Sequence, residues 1–444
     1  MKTRILLRAV WLAAVVTCAL PFLVAPASAE DGCVTEKCHP TVLSGENQHA
    51  IAETCDSCHE VVEAEHPQKG KKTFKLSEEE PGLCYGCHDK FEKANVHTPV
   101  DQGMCTSCHD PHSSKQEKLL TEPKTELCAG CHEDQAKSEN PHGPVAAGEC
   151  MECHEPHQAD AKNLLKAEDE KLCFGCHDDM KYVADKPFVH TALSTGCTSC
   201  HNPHGSKFRK LLPAEGKDAC FECHDDIAAT VKEATSPHKP VNRDKNCASC
   251  HSPHSSDNEN QLLKPQKDLC LSCHDKAIPK DAKVFHKPVA EGKCAGCHNP
   301  HGSTNRKLLV KEFPTEIYVP YTDTEYALCF ECHKRDLAQY EETSFATDFR
   351  DGERNLHYVH VHKDKGRSCR FCHAVHAGAN PKLINDTVPF GQWNLPIGFV
   401  KTETGGGCTP GCHKQQVYDR ETPGKKLPTP PKATPAKGAP AKKG

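Results

Sequence analysis

Thirty of the 31 cysteines in this chain fall into fifteen pairs, and every pair is followed at once by a histidine. Thirteen pairs have two residues between the thiols: Cys55 with Cys58, Cys84 with Cys87, Cys105 with Cys108, Cys128 with Cys131, Cys150 with Cys153, Cys173 with Cys176, Cys197 with Cys200, Cys220 with Cys223, Cys247 with Cys250, Cys270 with Cys273, Cys294 with Cys297, Cys329 with Cys332 and Cys369 with Cys372. Two are wider, Cys33-x₄-Cys38 and Cys408-x₃-Cys412. C-x-x-C-H is the attachment signature of c-type haem. The thiols add to the two vinyl groups of the porphyrin, and the adjacent histidine ligates iron from one face. Disulfides in an exported chain or zinc in cysteine–histidine clusters leave the invariant histidine unexplained. The expected cofactor is therefore haem c, about fifteen copies, with the two wide motifs looping out their extra residues.

The motif histidines supply fifteen proximal ligands: His39, His59, His88, His109, His132, His154, His177, His201, His224, His251, His274, His298, His333, His373 and His413. Sixteen histidines remain: His49, His66, His97, His112, His142, His157, His190, His204, His238, His254, His286, His301, His357, His360, His362 and His376. Sixteen candidates facing fifteen vacant axial positions favour bis-histidine iron throughout, with one spare among His357, His360 and His362. Only Met104, Met151 and Met180 lie beyond the signal segment, so the methionine that raises potential in many cytochromes is scarce. Low-potential, low-spin haems are expected.

Six spare histidines (His112, His157, His204, His254, His301 and His376) lie three residues after a proximal one. Three residues span at most about 10–11 Å, too little to round a porphyrin and return from its other face. These histidines must ligate neighbouring haems. The upstream set, His97, His142, His190, His238 and His286, precedes a motif by seven to nine residues and could serve its own haem or another.

The elements that position these ligands repeat. Alternate motifs begin at Cys55, Cys105, Cys150, Cys197, Cys247, Cys294 and Cys369, in steps of 45 to 50 residues and a last step of 75. Such a period signals stacked units sharing neighbour contacts rather than one core. Within a unit the order is histidine, first motif, histidine, leucine pair, second motif. The pairs Leu119-Leu120, Leu164-Leu165, Leu211-Leu212, Leu262-Leu263 and Leu308-Leu309, with Leu383-Ile384 as a weaker echo, read as apolar packing against haem from a short helix. Proline and glycine number 33 and 28, too dense for long helices or a sheet.

Composition agrees. Only 36% of residues are hydrophobic and 6% aromatic, against 26% charged, which leans towards disorder unless another apolar component supplies the core. The expected fold is a multihaem cytochrome c: short α-helices and irregular turns wrapped around a chain of covalent haems, in an elongated repeat with little or no β. The formal charge of −6 gives no reason to expect nucleic acid. Residues 1–29 read as an export signal, with Lys2, Arg4 and Arg8, an apolar run to Val24, and Ala27-Ser28-Ala29 before Glu30; Cys18 lies inside it. Beyond it come a single-haem segment (30–48), two-haem repeats (49–310), a stretched C-terminal haem region (311–420) and a Pro/Ala/Lys tail (421–444). The chain is not expected to span a membrane.

The sequence resembles the doubled C-x-x-C-H multihaem cytochromes c. The likeness lies in C-x-x-C-H-x-P-H, Leu-Leu, C-F-x-C-H-D and H-x-P-V-x-x-G-x-C. Examples are Cys197 to His204, Leu211-Leu212, Cys220-Phe-Glu-Cys223-His224-Asp225, and His286-Lys-Pro-Val to Cys294. It covers residues 84–310 and is similar to the periplasmic multihaem subunits of outer-membrane electron conduits in metal-respiring bacteria. The resemblance implies electron transfer without substrate chemistry, in anaerobic respiration. Its implied partners are inner-membrane quinol-oxidising cytochromes, other multihaem cytochromes and a separate outer-membrane barrel, leading to extracellular acceptors such as metal oxides. Alternatives are a reductase of nitrite, hydroxylamine or a sulfur oxyanion, which needs an open iron, and a subunit of an extracellular cytochrome filament. The ends depart from the pattern. The first pair lacks H-x-P-H and has His66 further on, and the last carries an aromatic insert, Phe390 to Val400, and Gly405-Gly406-Gly407.

Overall fold

The computed structural model describes residues 33–424 apart from 37, 63–65, 67 and 244–245. The expected signal and residues 425–444 of the expected tail lie outside them. Two compact units are present: residues up to 133 with 148–166, and residues 134–147 with 167 onward. The division cuts across the sequence repeat instead of falling between repeats.

Helices are short throughout, as the spacing of proline and glycine predicts. Among the described residues the longest, Asp225–Glu233, has nine residues, and no helix is long and apolar enough to cross a membrane. First motifs open three-residue helical turns such as Cys105–Ser107 and Cys294–Gly296. Second motifs end short α-helices such as Lys124–Ala129 and Gln266–Leu271. In both, the histidine N–H donates to the carbonyl of the first cysteine, four residues back, at 3.1 Å for His109 and 2.9 Å for His132. One helical turn thus puts both thiols and the imidazole on one face, which is what the C-x-x-C-H spacing requires.

The repeats are fastened by two-residue antiparallel ladders. Asn47–Gln48 pairs with Ser113–Ser114, Asn95–Val96 with Gln158–Ala159, and Asn140–Pro141 with Gly205–Ser206. Phe188–Val189, Ser236–Pro237 and Val284–Phe285 pair likewise with Ser255–Ser256, Gly302–Ser303 and Ala377–Gly378. Each ladder joins the residues just before an upstream histidine to those just after an H-x-P-H histidine one repeat on. The bonding continues into the histidines: the His97 N–H donates to the His157 carbonyl at 2.8 Å, and His49 to His112 at 2.9 Å. Ladders this short have no stability of their own.

Protein packing is scarce where the haem motifs are densest. Of the eight buried hydrophobic side chains among the described residues, Ala159 alone precedes residue 311. The other seven belong to the C-terminal region, which builds a conventional core around Tyr326, Ala338 and Val361. There Asn355, with no exposed surface, caps the helix Leu356–Val361 by accepting from the N–H groups of His357 and Tyr358. Its amide donates to the carbonyls of Leu337 and Tyr340 at 3.1 and 2.9 Å.

The same region holds the β structure that the sequence did not suggest. The aromatic insert forms a hairpin, Thr387–Phe390 against Trp393–Pro396, turning at Gly391 with φ of 58°. A three-stranded sheet follows, from Val400–Lys401, Gly405–Cys408 and Gln416–Asp419. The glycine triplet is explained by this sheet. A Cβ on Gly405 would collide with the Tyr418 carbonyl, and one on Gly406 would lie 2.7 Å from the Val400 carbonyl. Pattern reasoning fails here because a strand built of glycines shows no alternation.

Candidate haem-binding sites

The imidazoles come together in pairs. A metal-bound imidazole nitrogen sits about 2 Å from its metal, and the ring centre lies a further 1 Å or so back. Two rings on opposite faces of one iron therefore have centroids about 6 Å apart. In the unit holding the first repeats, His39–His66, His49–His88, His59–His112, His97–His132 and His109–His157 lie 6.0, 6.1, 6.1, 6.2 and 5.8 Å apart. In the other unit, His142–His177, His190–His224, His201–His254 and His238–His274 lie 6.0, 5.9, 6.1 and 6.2 Å apart. His251–His301, His286–His333, His298–His376 and His357–His373 follow at 6.1, 6.2, 6.1 and 6.4 Å. Each pair sets one motif histidine against one non-motif histidine. Rings in van der Waals contact would be closer by roughly the width of the gap an iron fills.

The pairing answers the question left open by the upstream histidines. They face the second motif of their own repeat: His97 meets His132, His238 meets His274 and His286 meets His333. The H-x-P-H histidines reach back to the first motif of the preceding repeat: His112 to His59, His157 to His109, His254 to His201, and His301 to His251. His204 hands its carbonyl to the His142 N–H at 3.1 Å. At the amino end, His66 faces the lone His39 motif rather than either motif of the first pair, its Nδ1 at 2.5 Å from the Thr73 hydroxyl.

At the carboxyl end three histidines divide. His357 faces His373. His360 has its Nδ1 on the Leu356 carbonyl at 2.6 Å and feels the charge of His413. His362 stands apart: it is stacked between Tyr321 and Tyr358 at 4.3 and 4.1 Å, with Nε2 2.9 Å from the Ala338 carbonyl. Both faces and that nitrogen are engaged by protein.

Burial keeps these imidazoles neutral, the form that ligates metal. It lowers the pKa values of His157, His254, His286, His301 and His376, and pushes His357 down to about 3. The tautomer is set as well. Nδ1 of His109, His154, His201, His251, His298 and His373 lies 2.7–2.9 Å from the carbonyl oxygen of Lys118, Asn163, Lys210, Asn260, Lys307 and Lys382, nine residues on. Nδ1 must donate there, leaving Nε2 free for a metal.

Those carbonyls are aimed by a strained backbone that sequence reasoning missed. Twelve of the thirteen described non-glycine residues with positive φ occur as six consecutive pairs, Lys118-Leu119 (61°, 60°) through Lys382-Leu383 (57°, 60°). Each such residue costs about 1 kcal/mol or more. The second carbonyl of each pair accepts from the residue after the proximal histidine, Leu119 from Asp110 at 2.7 Å and Leu383 from Ala374 at 2.7 Å. The leucine pairs are thus part of a left-handed clamp, not a regular short helix. The fourth is also corrected in register. Leu262, not Leu263, bridges to His251 as Leu120 does to His109, so Gln261 takes the place of the first leucine. A backbone carbonyl leaves no trace in residue type; the fixed offset of nine is the only signal.

The thiols meet from motif to motif. In the first unit the free thiols of Cys33 and Cys55, Cys84 and Cys105, and Cys128 and Cys150 are hydrogen-bonded; burial, and then Cys105, pushes the Cys84 thiol up to about 11. In the second unit Cys220 meets Cys247, Cys270 meets Cys294, and Cys329 meets Cys369. Among the described residues no three of His, Cys, Asp or Glu gather as a metal cage, which a zinc site of three or four protein ligands requires. Paired thiols beside paired imidazoles, with little protein packing between, fit a porphyrin carrying its own four nitrogens.

The structure gives the two cysteines of a motif different surroundings. The thiol pairs above are all made by the first cysteine of a motif. Cys58, Cys87, Cys131, Cys153, Cys176, Cys200 and Cys273, all second cysteines, lie outside those pairs. Cys87, Cys131, Cys176, Cys200 and Cys273 are exposed, while Cys58 and Cys153 are half-buried. Backbone places them: the N–H of each donates to the carbonyl of its motif's first cysteine at 3.1–3.3 Å. Charge reaches Cys84 from Cys58, Cys108 from Cys131, Cys220 from Cys200 and Cys250 from Cys273. Two thiols that attached to different vinyl groups of one porphyrin would be placed unequally in this way.

Comparison with known proteins agrees. The family model described as the doubled CXXCH motif matches residues 48–93, 97–137, 142–182, 190–229, 238–278 and 286–338. A curated relative, the multihaem cytochrome MtrA of Shewanella baltica (strain OS185), is 34% identical over 88 residues. That alignment covers 18% of this chain and 24% of the relative, so the chain spans about a quarter of the relative's length. With the six matched segments covering more than half of the chain, the protein belongs to the doubled CXXCH family and is a multihaem cytochrome c.

Proposed function

We propose that this cytochrome is an electron carrier in which all fifteen motifs hold haem and every iron lies between two histidines. Bound haem supplies one-electron iron chemistry; the chain's residues fix where that chemistry sits and keep its irons closed. The observation that carries the reading is the crossed pairing of imidazoles. Because a repeat gives its H-x-P-H histidine to the first motif of the preceding repeat, neighbouring repeats are tied together by the same side chains that complete the sites. Porphyrins attached at the touching thiols would have their attachment edges close together, as electron transfer between them needs. Exchange beyond the chain would link inner-membrane donors to outer-membrane or extracellular acceptors, with cytochromes and an outer-membrane barrel as partners, after export to the periplasm. The small overlap with MtrA supports that setting.

A reductase is the competing reading, and it needs an iron with a free face. The test is to reduce the haem-loaded protein fully and then offer it a ferric chelate, nitrite or hydroxylamine. An electron carrier gives up its electrons to the ferric chelate stoichiometrically and shows no sustained turnover of nitrite or hydroxylamine. Catalytic consumption of either with an electron donor in excess would overturn the reading.

A further inference from the structure

We propose that the six left-handed clamps are positioning residues that divide the haems into two classes alternating along the chain; this rests on the haem-binding reading above. The clamp carbonyls, on Lys118, Asn163, Lys210, Asn260, Lys307 and Lys382, all face first-motif histidines at 2.7–2.9 Å. Among the described residues no clamp carbonyl reaches Nδ1 of the second-motif histidines His88, His132, His177, His224, His274 and His333; the last one, His413, has Nδ1 2.7 Å from the carbonyl of its neighbour Lys414, and the first-motif His59 has no clamp. The peptide of a second-motif histidine comes off the end of a helix, for example Lys124–Ala129 before His132, and no left-handed pair follows at the same offset.

The clamp grips at two points. Lys118 O takes the imidazole N–H and Leu119 O takes the Asp110 N–H, so ring and following peptide turn as one body. The arrangement recurs at Asn163-Leu164, Lys210-Leu211, Asn260-Gln261, Lys307-Leu308 and Lys382-Leu383. The fourth clamp separates the causes. Gln261 keeps φ at 52° and the same carbonyl bond to Ser252 without a leucine, so apolar packing by that side chain is not what the geometry maintains.

A donor bond from Nδ1 to a carbonyl gives the imidazole more anionic character, raises its basicity as a ligand and favours the more positive iron. Clamped first-motif sites therefore have lower potentials than second-motif sites whose facing imidazole lacks such a bond; at the His274 site the facing His238 has Nδ1 2.7 Å from the Pro300 carbonyl, and at the His333 site the facing His286 bonds the Val375 backbone, which narrows the difference there. Outer partners of this kind change metal affinity by about 10–100-fold. Losing one clamp bond should shift that site's reduction equilibrium by about tenfold, about 59 mV for one electron.

The test uses the full-length holoprotein with Lys118→Gly, which accepts positive φ freely, and Lys118→Pro, which forbids it. Intact mass first counts the haems. The expected result is an unchanged redox titration for the glycine variant. In the proline variant one haem's share of the absorbance should titrate at a potential higher by about tenfold in the equilibrium constant. An unchanged titration for a fully loaded proline variant overturns the proposal. Should the proline variant not load, the reduced wild-type protein decides: labelled on histidine nitrogen, it should show slowly exchanging Nδ1 protons on the six clamped imidazoles and fast exchange on the six unclamped ones. Equal exchange in both sets overturns it. Absence of haem mass from the wild type would sink the haem reading itself, a separate failure.

Discussion

Replacing His157 with alanine should open one iron and no other. His157 faces His109 with ring centroids 5.8 Å apart and planes 28° from parallel. Its backbone carbonyl, not its side chain, accepts from His97 at 2.8 Å, so the ladder that fastens the two repeats survives the substitution. Truncation would remove one of the two imidazoles proposed to hold iron at the His109 site, and with it the stack on Phe91 at 5.1 Å, the latter worth about 0.5–1.5 kcal/mol. The cost to folding is thus small, while the spectroscopic cost is one haem in fifteen, about 7% of the iron by the fifteen motifs. Electron paramagnetic resonance of the fully oxidised variant should show a high-spin ferric signal integrating to that share. His157→Met should close the iron again with a sulfur ligand and raise that site's potential. A fully loaded H157A protein with no high-spin iron would refute the crossed pairing, and two haems' worth would refute the one-to-one assignment.

Three further outcomes follow from particular contacts. His362→Ala should leave the low-spin signal intact, because His362 is held by Tyr321, Tyr358 and Ala338; it should lower thermal stability instead, read by calorimetry. Asn355→Ala removes a buried cap and strands two carbonyls and two N–H groups, a loss of about 2–4 kcal/mol in denaturant unfolding of the C-terminal region. Asp419 is held down to about 2 by the backbone N–H of Thr422, the Thr404 hydroxyl and the N–H of Glu421. Its folded-state value lies below its ordinary 3.8, so its stabilising effect is complete above that value and fades as pH falls through the folded one. Protection of the Glu421 and Thr422 amides from exchange, relative to the intrinsic rate at each pH, should be steady from pH 7 to 5 and fall between about pH 4 and 2; Asp419→Asn should abolish that fall.

What could be read from the sequence was whatever lives in side-chain identity. The thirty thiols, the proximal histidines and the three-residue offset of His112, His157 and their counterparts announce their chemistry by type and spacing. The argument that those histidines must serve neighbours needed only chain length, and the facing of His157 and His109 has that geometry. Which neighbour, and where His97 points, was not legible, because the partners lie one repeat or most of a repeat away and are joined by two-residue ladders with no sequence signature. The unequal surroundings of first and second thiols were hidden too, since Cys84 and Cys87 are the same letter in the same motif. The clamps escaped for another reason: their working atoms are carbonyls on lysine and asparagine, and the leucine pairs beside them suggested packing. That reading also slipped by one at Leu262, where matching letters outweighed matching backbone. The C-terminal region carries a real protein core around Tyr326, Ala338 and Val361, and the hairpin buries Val388. Composition averaged over the whole chain concealed it.

The central claim, that every iron is closed by two histidines, meets its most direct test in the oxidised wild-type holoprotein. Intact mass and quantified electron paramagnetic resonance on one sample give the haem count and the spin state together. Fifteen haem additions with low-spin ferric signals alone are the predicted result. Fewer additions, or a high-spin signal of one haem or more, would contradict it and turn attention to the site left open.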